Sequence, residues 1–314
     1  MRFSASLWTV LAPILLLVAA HSQQVQRTPP YHVNVRLVNV FVTVRTSNGI
    51  PIGGLSKSDF ALAEDGSPQK IAYFERDTSM PLSIVLAVDT SGSVYKDLKV
   101  EERAARDFVH GLLRPMDSLD IMGFNTYVKE VVPFTDNMRQ IDKGLRNLPA
   151  GGGTGFWNAI WLASERLATR AGRKVLVVIS DGVNTVKGVT YSQALEQAVR
   201  GDVIIYSLID LPILNDAGRS TGGEHAMIFL SQSTGGKYYY VEDGNLVRVF
   251  QQVSEDLRTQ YLISYYSVPH RTESDFRQIQ VTLTPNAGPA AAAYHLGYRP
   301  GYYASPAAPL DPVK

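Results

Sequence analysis

Apolar residues follow two rhythms along this chain, and the rhythm changes near residue 80. Residues 33–45 alternate with a period of two: Val33, Val35 and Leu37 share one phase, and Val38, Val40, Val42 and Val44 share the other. A phase flip inside a strand signals a bulge or a change of buried face. Ser47-Asn48-Gly49 reads as a turn, and residues 60–64 and 70–74 flank Asp65-Gly66 as the arms of a hairpin. A β-rich segment this short buries too little surface to stand alone.

Beyond residue 81, short apolar runs alternate with helical spacing. Residues 82–88 are continuously apolar apart from Ser83, as in a parallel strand buried on both faces. Leu98, Ala105, Phe108, Val109 and Leu112 then recur at the spacing of a helix over 98–113. Residues 120–124 and 127–132 predict two more strands, with Asp120 ending the loop ahead of the first. A helix follows over 137–148, carrying Met138, Ile141 and Leu145 on one face. Gly151-Gly152-Gly153 leads into a helix over 156–168, and 175–179 is another buried strand. Thr190 caps the next helix, with Gln193 completing a capping box. Residues 203–209 predict a strand, 227–232 a helix, 237–241 a short strand and 245–258 an amphipathic helix. This alternation implies a doubly wound α/β sheet with helices on both faces.

Residues 261–266, 277–283 and 292–298 return to β patterning. Neither β-rich flank is large enough alone, so the two are expected to pair into a smaller all-β sandwich-like domain, with the α/β domain inserted between them. The expected division is 31–78 for the first flank, 79–259 for the α/β domain and 260–304 for the second flank. A Pro/Ala-rich tail over 305–314 is expected to be disordered. Tyrosines 238–240, 261, 265 and 266 read as half-buried strand residues with hydroxyls at the rim.

Residues 1–22 read as a signal peptide. Arg2 gives a positive start, residues 7–20 are almost continuously apolar, and Ala20-His21-Ser22 offers small residues where a signal peptidase reads. The run is short for a membrane span, although an uncleaved anchor helix is the competing reading. Cleavage near Ser22 leaves residues 23–30 as a polar, proline-containing linker and an exported chain, periplasmic or secreted. No cysteine is present, which excludes disulfides, thiolate metal sites and a lipid-modified cysteine anchor. With 30 basic against 29 acidic residues and no basic block, nothing indicates nucleic-acid binding.

The chemistry gathers at strand ends. Asp89, Ser91 and Ser93 follow the apolar run of residues 82–88, Thr154 sits in the glycine-rich loop, and Asp181 follows residues 175–179. In an open parallel sheet, loops at the carboxyl ends of strands converge where strand order reverses. Two carboxylates and three hydroxyls suit a hard divalent cation and leave room for a further ligand. Alternatively, each aspartate merely caps the next helix.

Val88-Asp89-Thr90-Ser91-Gly92-Ser93, Gly153-Thr154-Gly155 and Ser180-Asp181-Gly182 together resemble the metal-ion-dependent adhesion site of von Willebrand factor type A domains. The resemblance covers residues 80–258, including the order of elements. It implies a Rossmann-like α/β sandwich and a site for Mg²⁺ or Mn²⁺, with Ca²⁺ the other candidate. By that resemblance Ser91 and Ser93 ligate directly, and Asp89, Thr154 and Asp181 bind directly or through water. A protein partner's Asp or Glu supplies the remaining ligand. The flanks resemble a bacterial group known only as VWFA-related, described from acidobacterial genomes. The residues that carry this are Val38-Asn39-Val40-Phe41-Val42-Thr43-Val44, Asp59-Phe60, Glu64-Asp65-Gly66 and Gly301-Tyr302-Tyr303-Ala304. Integrin-type relatives bind a second ion beside the first; here Tyr95-Lys96-Asp97 puts Lys96 in place of an acid.

Enzymatic readings fare worse. The glycine loop lacks the Lys-Ser/Thr of a phosphate cradle, and no G-x-S-x-G surrounds a serine. His32, His110, His225, His270 and His295 carry no motif. The expected function is a non-enzymatic, exported binding module that captures an acidic group of a protein partner through the cation. The alternatives are an assembly subunit of an envelope complex with a purely structural metal and, behind it, a metal-dependent hydrolase.

Overall fold

The structure, a computed structural model, describes residues 36–76, 80–92, 98–210, 221–241, 245–267 and 275–304. The segments read as signal peptide, linker and tail lie outside these residues, as do Val33, Val35, Ser93 and Tyr95-Lys96-Asp97. The described residues belong to one compact unit, Val35–Lys314.

Among the described residues, four strands precede the α/β layer: β1 (Arg36–Arg45), β2 (Phe60–Glu64), β3 (Ser67–Gln69) and β4 (Ile71–Arg76). The layer runs β5 (Leu82–Asp89), α1 (Leu98–Leu112), β6 (Ser118–Phe124), β7 (Val128–Thr135), α2 (Met138–Leu145) and α3 (Phe156–Ala168). It continues with β8 (Arg173–Ser180), α4 (Tyr191–Arg200), β9 (Val203–Asp210), α5 (Thr221–Thr234), β10 (Tyr238–Val241) and α6 (Leu246–Arg258). Among the described residues, four strands follow: β11 (Tyr261–Ser267), β12 (Phe276–Leu283), β13 (His295–Gly297) and β14 (Gly301–Tyr303).

The central sheet has the order β10-β9-β8-β5-β6-β7. Neighbours are parallel except β6 and β7, which are antiparallel at one edge. The unbroken burial of β5 has a simple cause. Ile84, Leu86 and Val88 face a core shared with α1, α2 and α6, while Val85 and Ala87 face a second core shared with α3, α4 and α5. Both faces are covered, so period-two alternation has no reason to appear. The Thr190–Gln193 capping box opens α4 as expected, with Gln193 N donating to Thr190 Oγ1 at 3.3 Å and Thr190 N donating to Gln193 Oε1 at 2.9 Å. The chain passes from β5 outward through β6 and β7, then crosses to β8 on the other side. Strand order therefore reverses between β5 and β8.

The flanking strands form two antiparallel sheets, β13-β1-β11-β4 and β14-β12-β2-β3, each containing strands from both ends of the chain. Their inner faces share one core that includes Val40, Val42, Phe60, Leu62, Ile263, Tyr265 and Val281. In β1 the phase Val38, Val40, Val42 and Val44 is inward, while Leu37 is 42% exposed. Its register against β11 is unbroken over 36–42, so no bulge falls there. The Asp65-Gly66 turn is real, with positive φ at both residues (47° and 77°), as a type I′ hairpin requires. Its second arm is β3, however; β4, expected as that arm, crosses to the other sheet and pairs with β11.

Two readings are corrected by burial. Tyr261 and Tyr265 are 1% and 0% exposed rather than at a rim. The Tyr261 hydroxyl donates to Ile52 O at 2.6 Å and accepts from Leu55 N at 3.1 Å. That of Tyr265 donates to Glu64 Oε2 at 2.5 Å, and Ser267 Oγ and the Tyr302 hydroxyl lie 2.9 Å from the same carboxylate. Glu64 is thus a wholly buried carboxylate made tolerable by three hydroxyls. Asp120 does not end a loop. It lies inside β6, paired with Val85, and is completely buried.

Ion pairs join the sheets of the sandwich to the α/β layer. Arg45 of β1 pairs with Asp256 of α6, and both side chains are largely buried at 13% and 4% exposure. Arg200 of α4 meets Asp275 at 3.0 Å and stacks on the Tyr303 ring, and Arg299 pairs with Asp202.

Candidate metal-binding rim

Asp89 is the last residue of β5 and Asp181 the first after β8. The register carries Val88 opposite Ile179, which places Asp89 level with Ser180 and Asp181 one residue further out. Both carboxylates therefore stand at the carboxyl edge of the sheet, where its order reverses and where open α/β sheets bind their ligands.

Three loops are tied to one another there. The β5 loop is joined to the β8 loop by the Ser180 hydroxyl, which donates to Asp89 Oδ2 at 2.6 Å. It is joined to the glycine-rich loop by Gly151 N donating to Thr90 O at 2.8 Å and Gly92 N donating to Gly152 O at 3.3 Å. The glycine-rich loop is joined to the β8 loop around Thr154. Its N–H donates to Thr185 Oγ1 at 2.8 Å, and its carbonyl accepts from Thr185 N at 2.9 Å and Val186 N at 3.2 Å. Thr126 adds a clamp, accepting from Gly153 N at 2.9 Å. The triangle is closed.

Within it, Asp89, Ser91 and Thr154 are buried and Asp181 is half-buried. Asp89 Oδ1 accepts from Ser91 N at 2.9 Å, and Asp181 Oδ1 from Val183 N at 2.9 Å. Burial raises the pKa of Asp89; bonds from Ser180 and Ser91 oppose the shift, and the charge of Asp181 adds to it. Two glycines shape the loops. Gly182 has φ +76°, and a Cβ there would lie 2.7 Å from Gly223 backbone atoms. Gly152 has φ +93°, and a Cβ would meet Thr126 Oγ1 at 2.7 Å.

Of the five residues singled out from the sequence, Asp89, Ser91, Thr154 and Asp181 come to this one rim, and Ser93 lies outside the described residues. Ser180, Thr185, Thr126 and Thr90 were not singled out. Ser180 offered a signal, as the residue beside Asp181. Thr90 stands inside the motif but was not weighed for a role, and Thr185 and Thr126 are hydroxyls without a motif; all three act through backbone groups of distant segments. Among the described residues, no group of three His, Cys, Asp or Glu is placed to hold a metal. The donor set is two carboxylates and hydroxyls. That set fits a hard divalent cation, because all donors are oxygen and because a cation would offset the charge that burial makes costly on Asp89.

Residues 84–184 match the family model of the von Willebrand factor type A domain. No curated protein matches the chain. Among solved structures, a von Willebrand factor type A protein from Catenulispora acidiphila superposes with a TM-score of 0.51 at 10% identity, covering 86% of this chain and 74% of that one. The pilus adhesin SpaC from Lactobacillus rhamnosus GG, in its open conformation, gives 0.48 at 15% identity over 83% of this chain and 49% of its own. BatB from Bacteroides thetaiotaomicron gives 0.46 at 19% identity over 57% of this chain and 100% of its own.

Proposed function

We propose that the von Willebrand factor type A domain carried by this chain is a cation-dependent binding module, in which Asp89, Ser91, Ser93, Thr154 and Asp181 hold Mg²⁺ (or Mn²⁺, with Ca²⁺ the other candidate). The bound cation accepts an Asp or Glu carboxylate of a protein partner. The observation that supports this reading is the closed triangle of loops, which ties together, at the reversal point of the sheet, the three segments that carry these residues.

When bound, the cation supplies a positive charge with a coordination position for an anion. The protein's own residues do the rest. Ser180 and the Ser91 N–H hold the Asp89 carboxylate in one orientation, and the Val183 N–H holds that of Asp181. Hydroxyl donors carry no charge, so two carboxylates leave a divalent ion more attractive to an incoming anion than a cage of four would. Thr185 keeps Thr154 at the rim by engaging its backbone on both sides.

The chain is read as exported through residues 1–22, and as a binding protein rather than an enzyme because its histidines stand in no catalytic sequence motif. In the second reading, an assembly subunit of an envelope complex, the cation only rigidifies the loops. A pull-down from envelope extract in Mg²⁺ against EDTA, with Asp181→Ala alongside, separates the two. Capture that needs Mg²⁺ and is lost in the variant is expected. Mg²⁺-dependent stability without Mg²⁺-dependent capture would favour the assembly reading instead.

A further inference from the structure

A cavity of about 200 Å³ lies at the opposite edge of the central sheet, where the amino ends of β8 and β9 meet strand β1 of the sandwich. Its volume exceeds the roughly 30 Å³ that one water occupies in the liquid several-fold. One part of the wall is apolar, from Phe41, Val199, Val203 and Ile204. Another part is charged, from Arg170, Lys174, Arg299 and Asp202.

Charge in this wall is unbalanced. Asp202 is its one carboxylate, and Arg299 already pairs with it, with Arg36 4.0 Å away on its other oxygen. Lys174 donates to Gly201 O at 2.9 Å and Ala168 O at 3.4 Å, which leaves one of three ammonium hydrogens uncommitted. Burial lowers the Lys174 pKa; Asp202 opposes this, and Arg299 and Arg36 add to it. The Arg299 side chain is 11% exposed; beyond Asp202 it donates from Nη2 to Asn39 O at 2.7 Å, so it lends the cavity its charge. A partly desolvated cation without its own counterion is the costly kind of buried charge. An anion in the cavity removes that cost.

We propose that this cavity binds a small organic carboxylate, its head received by the uncommitted hydrogen of Lys174 in the positive field of Arg170 and Arg299, and its apolar body by Phe41, Val199, Val203 and Ile204. An inorganic anion uses only the charged wall; the apolar wall selects an acid with a short hydrocarbon or aromatic body. Because Phe41 and Arg299 come from the sandwich strands and their connections while Lys174 and Val203 come from the α/β layer, the ligand also braces one against the other. The site is separate from the metal-binding rim and does not depend on it.

The test is calorimetric titration of the full mature chain, in EDTA, with benzoate and hexanoate, and with benzamide, hexanamide and inorganic phosphate for comparison. Both carboxylates are expected to bind and to raise the melting temperature, while the amides and phosphate do not. Lys174→Met is expected to weaken benzoate at least about tenfold, the scale of one lost charge-assisted hydrogen bond. Arg170→Gln serves if Lys174→Met fails to fold; its guanidinium, held by Ser83 and Ser118 hydroxyls at 3.3 and 3.1 Å, adds positive charge to the same wall, so the variant is expected to weaken binding as well. Amide binding equal to acid binding, phosphate binding equal to benzoate, no carboxylate binding, or benzoate affinity unchanged in the folded variant would each overturn the proposal. Carrying out the titration without metal keeps its outcome independent of the rim.

Discussion

Arg45→Met is expected to destabilise the protein by about 3–5 kcal/mol, a large share of the roughly 5–15 kcal/mol available to a folded domain. Arg45 extends from β1 to Asp256 on α6, and the carboxylate is 4% exposed. Its other described partner is the hydroxyl of Tyr239, on β10. Removing the guanidinium leaves a buried carboxylate with one neutral donor, and the desolvation penalty of that charge is then uncompensated. A paired replacement behaves differently. Arg45→Met with Asp256→Leu is expected to recover most of the loss, because no buried charge remains. Urea denaturation of the three variants measures this. A single variant within about 1 kcal/mol of the parent would show that the pair is solvated and carries little. The same contact fastens the last helix of the α/β layer to the sandwich, so the single variant is also expected to loosen that junction.

The second large effect depends on pH. Asp120 is completely buried in β6, and neither carboxylate oxygen meets a donor among the described residues. Burial first, and then the neighbouring Glu130, push its pKa up to about 8 against the opposing charge of Arg166, which pairs with Glu130. A bond between two carboxyl groups needs a proton on one of them, so the folded state holds a proton here that the unfolded chain has released. The folded pKa lies above the unfolded value of about 3.9, so stability is fully present below pH 4 and is lost progressively as pH rises towards 8. Asp120→Asn keeps a donor towards Glu130 and removes the ionisation. It is expected to flatten this decline and to stabilise the protein at pH 8 by about 2–4 kcal/mol, discounted from the full linkage because buried sites relax. Melting temperatures from pH 5 to 8 test it: parallel curves for parent and variant would contradict the assignment.

What could be read from the sequence, and what could not, follows from the range of the interactions. The run over 82–88 announced a central strand because burial on both faces leaves a mark on every residue. The Thr190–Gln193 box is local, and it formed as its spacing required. The Asp65-Gly66 turn is equally local, but which strand pairs beyond it is decided by the sandwich core. Ile71 and Phe74 turn to pack beside Tyr261, and β4 leaves its hairpin for β11. Helix α5 begins at Thr221, ahead of the expected 227; its polar, glycine-bearing first turn shows no apolar periodicity in the sequence. Glu64 and Asp256 look like surface acids in sequence; the hydroxyls and the arginine that let them be buried arrive from far along the chain. Asp120 was misread for the same reason, since a lone acid among apolar residues resembles a strand end unless its neighbours are known. At the rim, the donors carried a motif, while Thr126 and Thr185, which brace the glycine-rich loop from elsewhere in the chain, had none.

Calorimetric titration of Mg²⁺ into the parent chain, Asp89→Ala and Asp181→Ala tests the central claim most directly, with circular dichroism confirming that the variants are folded. The account predicts saturable binding of a single ion to the parent and its loss in both variants. Unchanged Mg²⁺ binding in the two folded variants would contradict it.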